Sequence, residues 1–271
     1  MQIKQGQIAV VTGAGGGLGG ALAQDLAARG CNLALADISE EALQKTVASL
    51  SANAGKVTQH VVDVTDREQM KAFSETVLSE HGGINLLINN AGITLQKNFS
   101  THSLEDWDRI VGINFWGVIY GCHYFDEALT KSSDAHVVNL SSMSSFVGLP
   151  GQSSYCATKS AVQGVTDSLW AEWSMKGIGV TSIHPGAIRT EMITATLEES
   201  DDIEAAKRNY AIQQKTGIDA DKAAAKILRA VEKGKMRQRV GRDAYLFDYV
   251  TRFAPWLANF AMKKIAKMEA R

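Results

Sequence analysis

The sequence predicts an α/β fold: one domain built on a doubly wound parallel sheet of about seven strands, with helices on both faces. Three observations predict it. Short apolar runs of strand length alternate with longer helical runs along the 271 residues. A glycine cluster, Thr12 to Gly20, stands between the first such strand and the first helix. Polar residues suited to chemistry recur where strands end, at Asp37, Asp63, Asn89, Ser142 and Pro185. In open α/β sheets ligands bind outside the carboxyl ends of the strands.

Gln7 to Val11 reads as a short buried strand, and Ala21 to Arg29 as helix. Strand, glycine loop and helix in that order make a phosphate-binding turn, because glycines admit a pyrophosphate close to the backbone and the helix start offers free N–H groups. Two registers fit: Gly15, Gly17 and Gly20 as G-x-G-x-x-G, or Gly13, Gly17 and Gly19 as G-x-x-x-G-x-G. Asn32 to Ala36 is a second strand, and Asp37 closes it 20 residues beyond Gly17. A carboxylate there accepts hydrogen bonds from adenosine ribose hydroxyls and repels a 2′-phosphate. No Lys or Arg lies in the glycine loop, so NAD is favoured over NADP. Asp37 and Ser39 are also both candidate caps for the helix from Glu40 to Leu50.

Lys56 to Val64 is the third strand; Asp63 and Val64 at its end are candidate cofactor contacts, Asp63 for the adenine amino group. Asp66 caps the helix from Arg67 to Glu80. Asn85 to Ile88 is the fourth strand, running into Asn89-Asn90-Ala91-Gly92. A long helix is predicted from Ser103 to about Ala128, with Asn114 polar in an apolar stretch. His136 to Leu140 is the fifth strand and delivers Ser141-Ser142. Tyr155 opens a helix to about Lys176, Val180 to Ile183 is the sixth strand, and Met236 to Val240 the seventh. The polar run from Thr190 to Gln214 reads as a lid, and Asp219 or Asp221 starts a further helix.

Tyr155 and Lys159 are four residues apart, one turn along a helix and on the same side of it. An ammonium beside a phenol favours the phenolate and lowers its pKa, which suits Tyr155 to exchange a proton with a carbonyl or an alcohol. Ser142, 13 positions earlier, is placed to hold the same oxygen.

These residues together resemble the short-chain dehydrogenase/reductase family in its compact single-domain form. The resemblance spans roughly residues 5 to 241. It rests on Thr12-Gly13-x-x-x-Gly17-x-Gly19, Asp63, Asn89-Asn90-Ala91-Gly92, Asn114, Ser142, Tyr155-x-x-x-Lys159 and Pro185-Gly186. It implies a Rossmann-type sheet and selects Gly13, Gly17 and Gly19, with Leu18 where isoleucine is common. It implies Tyr155 as general acid/base, Lys159 on the nicotinamide ribose, Ser142 orienting the substrate oxygen, and Asn114 holding a proton-relay water. Asn90, Ala91, Gly92, Pro185 and Gly186 would lie along the cofactor, with Ile188 and Thr190 at the carboxamide. It also implies a homodimer or homotetramer paired through the helices of Asn114 and Tyr155, supported by Trp170 and Trp173.

The implied function is hydride transfer between NAD(H) and a secondary alcohol or ketone. Alternatives are an NADP-dependent carbonyl reductase and a nucleotide-sensing regulator without turnover. Met143, Phe146, Val147, Leu149, Met192 and the aromatics of the C-terminal tail suggest an apolar substrate pocket. A net charge of −1 argues against nucleic acid as partner. Cys31, Cys122 and Cys156, and six scattered histidines, have no metal-ligand spacing, so no metal site is expected. Cys156, beside Tyr155, reads as a small buried residue rather than a reactive thiol. The absence of a signal-like start or a membrane-length apolar run leads to a cytoplasmic expectation. Residues 243–271 form an amphipathic aromatic tail beyond the 1–242 domain. It is expected to pack on the domain or at a subunit contact, with a membrane-surface helix as the alternative.

Overall fold

The structure, a computed structural model, describes residues 1–192 and 194–269. Ile193 of the expected lid and the last two residues of the tail lie outside the described residues. Strands β1 (Ile8–Thr12), β2 (Asn32–Asp37), β3 (Val57–Val61), β4 (Leu86–Asn89), β5 (Ala135–Leu140), β6 (Ile178–Pro185) and β9 (Arg237–Val240) form one sheet. Its order is β3-β2-β1-β4-β5-β6-β9, and every pairing is parallel. The chain winds outward from β1 to β3, returns to β4 on the other side of β1, and winds out again. The crevice at the carboxyl ends of β1 and β4 is therefore the point where the winding reverses. Two short strands, β7 (Ile188–Arg189) and β8 (Ile218–Asp219), pair with each other beside the sheet.

Parallel strands are covered on both faces, which is why these read as apolar runs. Side chains alternate across the sheet, so neighbours in β1 enter different cores. Val11 packs with Leu22 and Leu26 of α1 (Gly17–Ala28) and Ile227 and Leu228 of α8 (Ala220–Glu232). Val10 packs with Phe73 and Val77 of α3 (Arg67–His81), Phe125 and Leu129 of α5 (Gly117–Lys131), and Val162 of α6 (Ser153–Ser174). Helix α2 (Glu40–Ala48) completes the first layer.

Several element boundaries differ from expectation. The single helix from Ser103 is instead α4 (Leu104–Val111), a π-helical turn (Gly112–Trp116) and α5. The cause is tertiary: Asn114 in the π turn accepts from Ile93 N and donates to Ile93 O, each at 2.9 Å, which draws the helix toward the strand-end loop. The third strand stops at Val61 because Asp63 folds back, its Oδ1 accepting from Thr65 N and Thr65 Oγ1 at 2.8 Å. At the start of α2, Ser39 takes the cap, accepting from Ala42 N at 3.2 Å, which leaves Asp37 for other contacts. Asp219 precedes α8 without capping it by its side chain and instead binds Arg189 and Lys222.

Residues 194–199 form a 3₁₀ turn and α7 spans Ile203–Thr216, both on the cleft side of the expected lid. The tail is two helices, α9 (Arg242–Phe253) and α10 (Pro255–Glu269), broken at Ala254-Pro255. It packs inward on the domain: Ala258 and Met262 form a small core with Val147, joined by Leu149, Phe247 and Val250. Trp173 is 5% exposed within the second core, so it has no surface to give a subunit contact; Trp170 is 42% exposed and does.

Candidate active site

The glycine loop closes the end of β1. Gly13 and Gly17 adopt φ of +64° and +54°, the left-handed region that side chains rarely occupy. Gly19 has a different reason: a Cβ there would lie 2.0 Å from Gly13 O. That contact is the close approach of α1 to the loop, so Gly19 works beneath the cleft rather than on its wall. Gly15 also has a role, because its N–H donates to Asp37 Oδ2 at 2.8 Å where a Cβ would clash. Gly16, before the first turn of α1, has open space in front of it and no side-chain cap, so the free N–H groups of that turn face the cleft.

Asn90 fixes the loop to β4. Its Nδ2 donates to Thr12 O and Gly13 O, both at 3.0 Å, and Thr12 Oγ1 accepts from Asn90 N and Ala91 N, both at 3.1 Å. Asn90 thus lies on the cleft wall with its amide committed to holding the loop. Asp37 stands at the end of β2, its Oδ1 taking Ser39 N at 3.0 Å.

A cleft of about 610 Å³ runs from this loop along the strand ends to α6. It brings together Gly13, Gly17, Leu18, Asp37, Asp63, Val64, Asn90, Ala91 and Gly92 with Ser142, Tyr155 and Lys159. Pro185, Gly186, Ile188 and Thr190 form its other wall. Thr190 reaches across to Gly17, its Cβ 3.3 Å from where a Gly17 Cβ would sit. Of the sequence-predicted residues, Gly19 and Asn114 lie behind the wall, and two of the expected pocket residues are turned elsewhere: Phe146 stacks on His184 and Val147 packs against α10, whose aromatics, like those of α9, do not line the cleft.

At the α6 end, Lys159 is 3% exposed and donates from Nζ to Leu140 O at 2.8 Å. Nζ lies 5.7 Å from the centre of the Tyr155 ring. Ser142, at the end of β5, accepts from Ser144 N at 3.1 Å. Asn114 Oδ1 and Lys159 Nζ approach the same point, 3.1 and 3.3 Å from where a Gly92 Cβ would lie, so only glycine leaves that space open.

The electrostatics differ from the sequence expectation. Burial raises the Tyr155 phenol above its usual 10, opposed by the Ser142 hydroxyl. Burial also pushes Lys159 down to about 8. The protein by itself therefore does not lower the phenol: burial disfavours the charged forms of both Tyr155 and Lys159. Cys156 is buried, accepts from Leu149 N at 3.3 Å, and has its thiol pushed up by burial, so it packs rather than reacts.

Two residues beside the site were not among those the sequence pattern singles out. His184 is fully buried behind Ser142, with Nδ1 3.0 Å from Ser145 Oγ and 3.2 Å from Ser142 O, and Nε2 2.9 Å from Ser182 Oγ. Phe146 stacks on its ring at 4.6 Å. Burial holds it neutral, with a pKa pushed down to about 4. Gln213 of α7 donates to Ile188 O at 2.6 Å and so fastens α7 to the cleft wall. Its position before a proline is the only local mark of His184, and nothing local marks Gln213.

Residues 7–201 match the sequence pattern of the short chain dehydrogenase family. SadH of Mycobacterium tuberculosis, named as an oxidoreductase, is 35% identical over 256 residues, covering 93% of this chain and 92% of its own length. Cyclohexanol dehydrogenase of Acinetobacter is 36% identical over 196 residues, covering 72% and 78%. Among solved structures, a short chain dehydrogenase/reductase from Burkholderia phymatum in complex with NAD superposes with a TM-score of 0.87 at 27% identity, over 95% of this chain and 96% of that one. With a matched pattern across most of the chain and relatives aligned almost end to end, this protein belongs to the short-chain dehydrogenase family.

Proposed function

We propose that this protein is an NAD-dependent oxidoreductase that interconverts a secondary alcohol and a ketone, with an apolar substrate. One observation carries the reading: Ser142, Tyr155 and Lys159 converge at one end of a cleft whose other end is the glycine loop and Asp37. The free N–H groups at the start of α1 suit a pyrophosphate, and Asp37 suits the hydroxyls of an adenosine ribose and repels a phosphate there. The open space at Gly92, bounded by Lys159 and Asn114, fits the ribose nearer the reacting carbon. The cofactor, when bound, supplies the hydride acceptor or donor.

The remaining chemistry belongs to the chain. Ser142 orients the substrate oxygen, and the Tyr155 phenol gives it a proton in reduction, while its phenolate form takes one in oxidation. A phenol above its usual pKa is protonated at neutral pH, the form that donates to a carbonyl. Lys159, with Asn114 behind it, helps hold the cofactor and restores the phenol proton. Residues 190–214 act as a lid that excludes water. Met143, Leu149, Ile113 and Met192 line the cleft, which supports an apolar substrate rather than a sugar.

The test is a dye-free absorbance screen of NAD and NADP reduction over secondary alcohols of graded size and polarity. Turnover is expected with NAD on apolar alcohols, with NADP slower by about tenfold or more given an unpaired charge repulsion at Asp37. Faster turnover with NADP overturns the use made of Asp37, and binding of NAD without turnover across the whole panel favours a regulator.

A further inference from the structure

The inner face of α9 and α10 is satisfied by the core around Val147, but the outer face is not. Leu246, Tyr249, Phe253, Trp256 and Phe260 are 61, 52, 80, 71 and 64% exposed. Leu246, Tyr249 and Phe253 recur at three- and four-residue steps in α9, and Trp256 and Phe260 are four apart in α10, so each helix presents an apolar stripe rather than scattered side chains. Contiguous exposed apolar surface of this kind marks an interaction site.

A second, independent feature lies beside the start of the stripe. A cavity of about 180 Å³ is lined by Lys226, Arg229, Lys233, Lys235 and Arg239, with Tyr245 at its edge. Arg239 pairs with the buried Asp248, which Arg252 also engages. Lys226, Arg229, Lys233 and Lys235 form no ion pair among the described residues, although the whole chain carries a net charge of only −1. The Arg239 guanidinium lies 5.3 Å from the Tyr245 ring centre and 5.6 Å from that of Tyr249, and Tyr249 stacks on Phe253 at 6.3 Å. The cation pocket and the aromatic stripe of α9 are therefore one continuous surface.

We propose that this surface docks the protein on an anionic phospholipid bilayer, the stripe entering the headgroup region and the pocket receiving lipid phosphate. Aromatic rings favour the membrane–water interface, and unpaired cations next to them favour an acidic leaflet. A second copy of the chain suits the surface less, because a two-fold contact sets each patch against itself and would gather the same unpaired cations. No helix among the described residues is long and apolar enough to cross a membrane, so the contact is peripheral. Leu149 packs against the α10 core and also lines the cleft, so the docking helices adjoin the cleft wall.

The experiment is flotation of the full chain with phosphatidylcholine vesicles and with phosphatidylcholine–phosphatidylglycerol vesicles, alongside light scattering and thermal shift with inorganic phosphate. Binding is expected to the acidic vesicles only. The triple variant K226Q/K233Q/K235Q should weaken it by on the order of a hundredfold, about fivefold for each basic residue removed. The F253S/W256S variant should also release the protein, while both variants keep the wild-type melting profile. No flotation with acidic vesicles at low salt overturns the proposal. So does concentration-dependent self-association lost in the same variants without vesicle binding, and so does phosphate stabilisation alone. Flotation unaffected by F253S/W256S overturns it as well, since simple charge adsorption would then suffice.

Discussion

At the scale of single residues, burial sets the charge states around the cleft. His184 holds the Ser142–Ser145 turn from behind through Nδ1, with Nε2 on Ser182 Oγ, and its pKa falls from 6.5 to about 4. For a histidine depressed on folding, the unfolded chain takes up the proton first as pH drops. Stability is therefore whole above about 6.5 and is lost as pH falls toward about 4. The loss attributable to His184 is on the order of 3 kcal/mol, a large share of a typical domain's stability. Urea unfolding measured across that range should show a steep acid limb, and His184→Asn should flatten it; an unchanged slope would remove His184 as its source. Buried His136, held at about 3, contributes in the same direction, so the limb is shallower in the variant, not absent. Residues of this kind are poorly legible in sequence. Tyr155 and Lys159 could be read because helical spacing puts them on one side. His184 reaches the Ser142–Ser145 turn 39 to 42 positions away and Gln213 reaches Ile188 25 positions away, contacts no local pattern encodes.

At the scale of elements, close approaches decide where helices can lie. Gly121 of α5 faces Asn89 at the end of β4, and a Cβ there would sit 2.2 Å from Asn89 Oδ1. Asn89 cannot step aside easily, because it is buried and donates to Asn139 Oδ1 at 2.8 Å. Gly121→Ala should therefore cost about 1–3 kcal/mol, read as a lower urea midpoint at constant slope. No change in midpoint would mean that α5 can shift freely off the sheet. The same region shows why helix boundaries resisted prediction. From Ser103 to Ala128 the residues favour one helix, and the π turn arises only because Asn114 bonds to Ile93, 21 positions earlier. The strand ends were easier, since apolar runs stop where the sheet's cover stops. Even so, β3 is shorter than its apolar pattern because the Asp63–Thr65 turn captures the backbone first.

At the scale of the whole molecule, the winding reversal between β1 and β4 collects the site. It brings the glycine loop, Asn90 and the α6 pair to one edge of the sheet although they are spread from Thr12 to Lys159. The alternation of strands and helices made that layout legible before any side chain was placed. Subunit assembly was less so, because exposure decides it and composition does not. On the outer faces of α4 to α6, Trp116 stacks on Tyr120 at 5.7 Å and is 46% exposed, and Trp170 is exposed as well. We propose pairing through this face, and light scattering should report a dimer or tetramer that Trp116→Ala weakens. A monomer at working concentration would contradict it.

The proton-handling role of Tyr155 is the centre of the functional proposal, and it can be separated from cofactor binding in one comparison. Wild-type and Tyr155→Phe proteins are titrated with NAD by calorimetry, then assayed on the best alcohol from the substrate screen. The expected result is NAD affinity within about threefold of wild type, since only a hydroxyl is removed from the cleft wall, and turnover reduced by at least about a hundredfold. A phenylalanine protein that binds NAD and still turns over near the wild-type rate would contradict it.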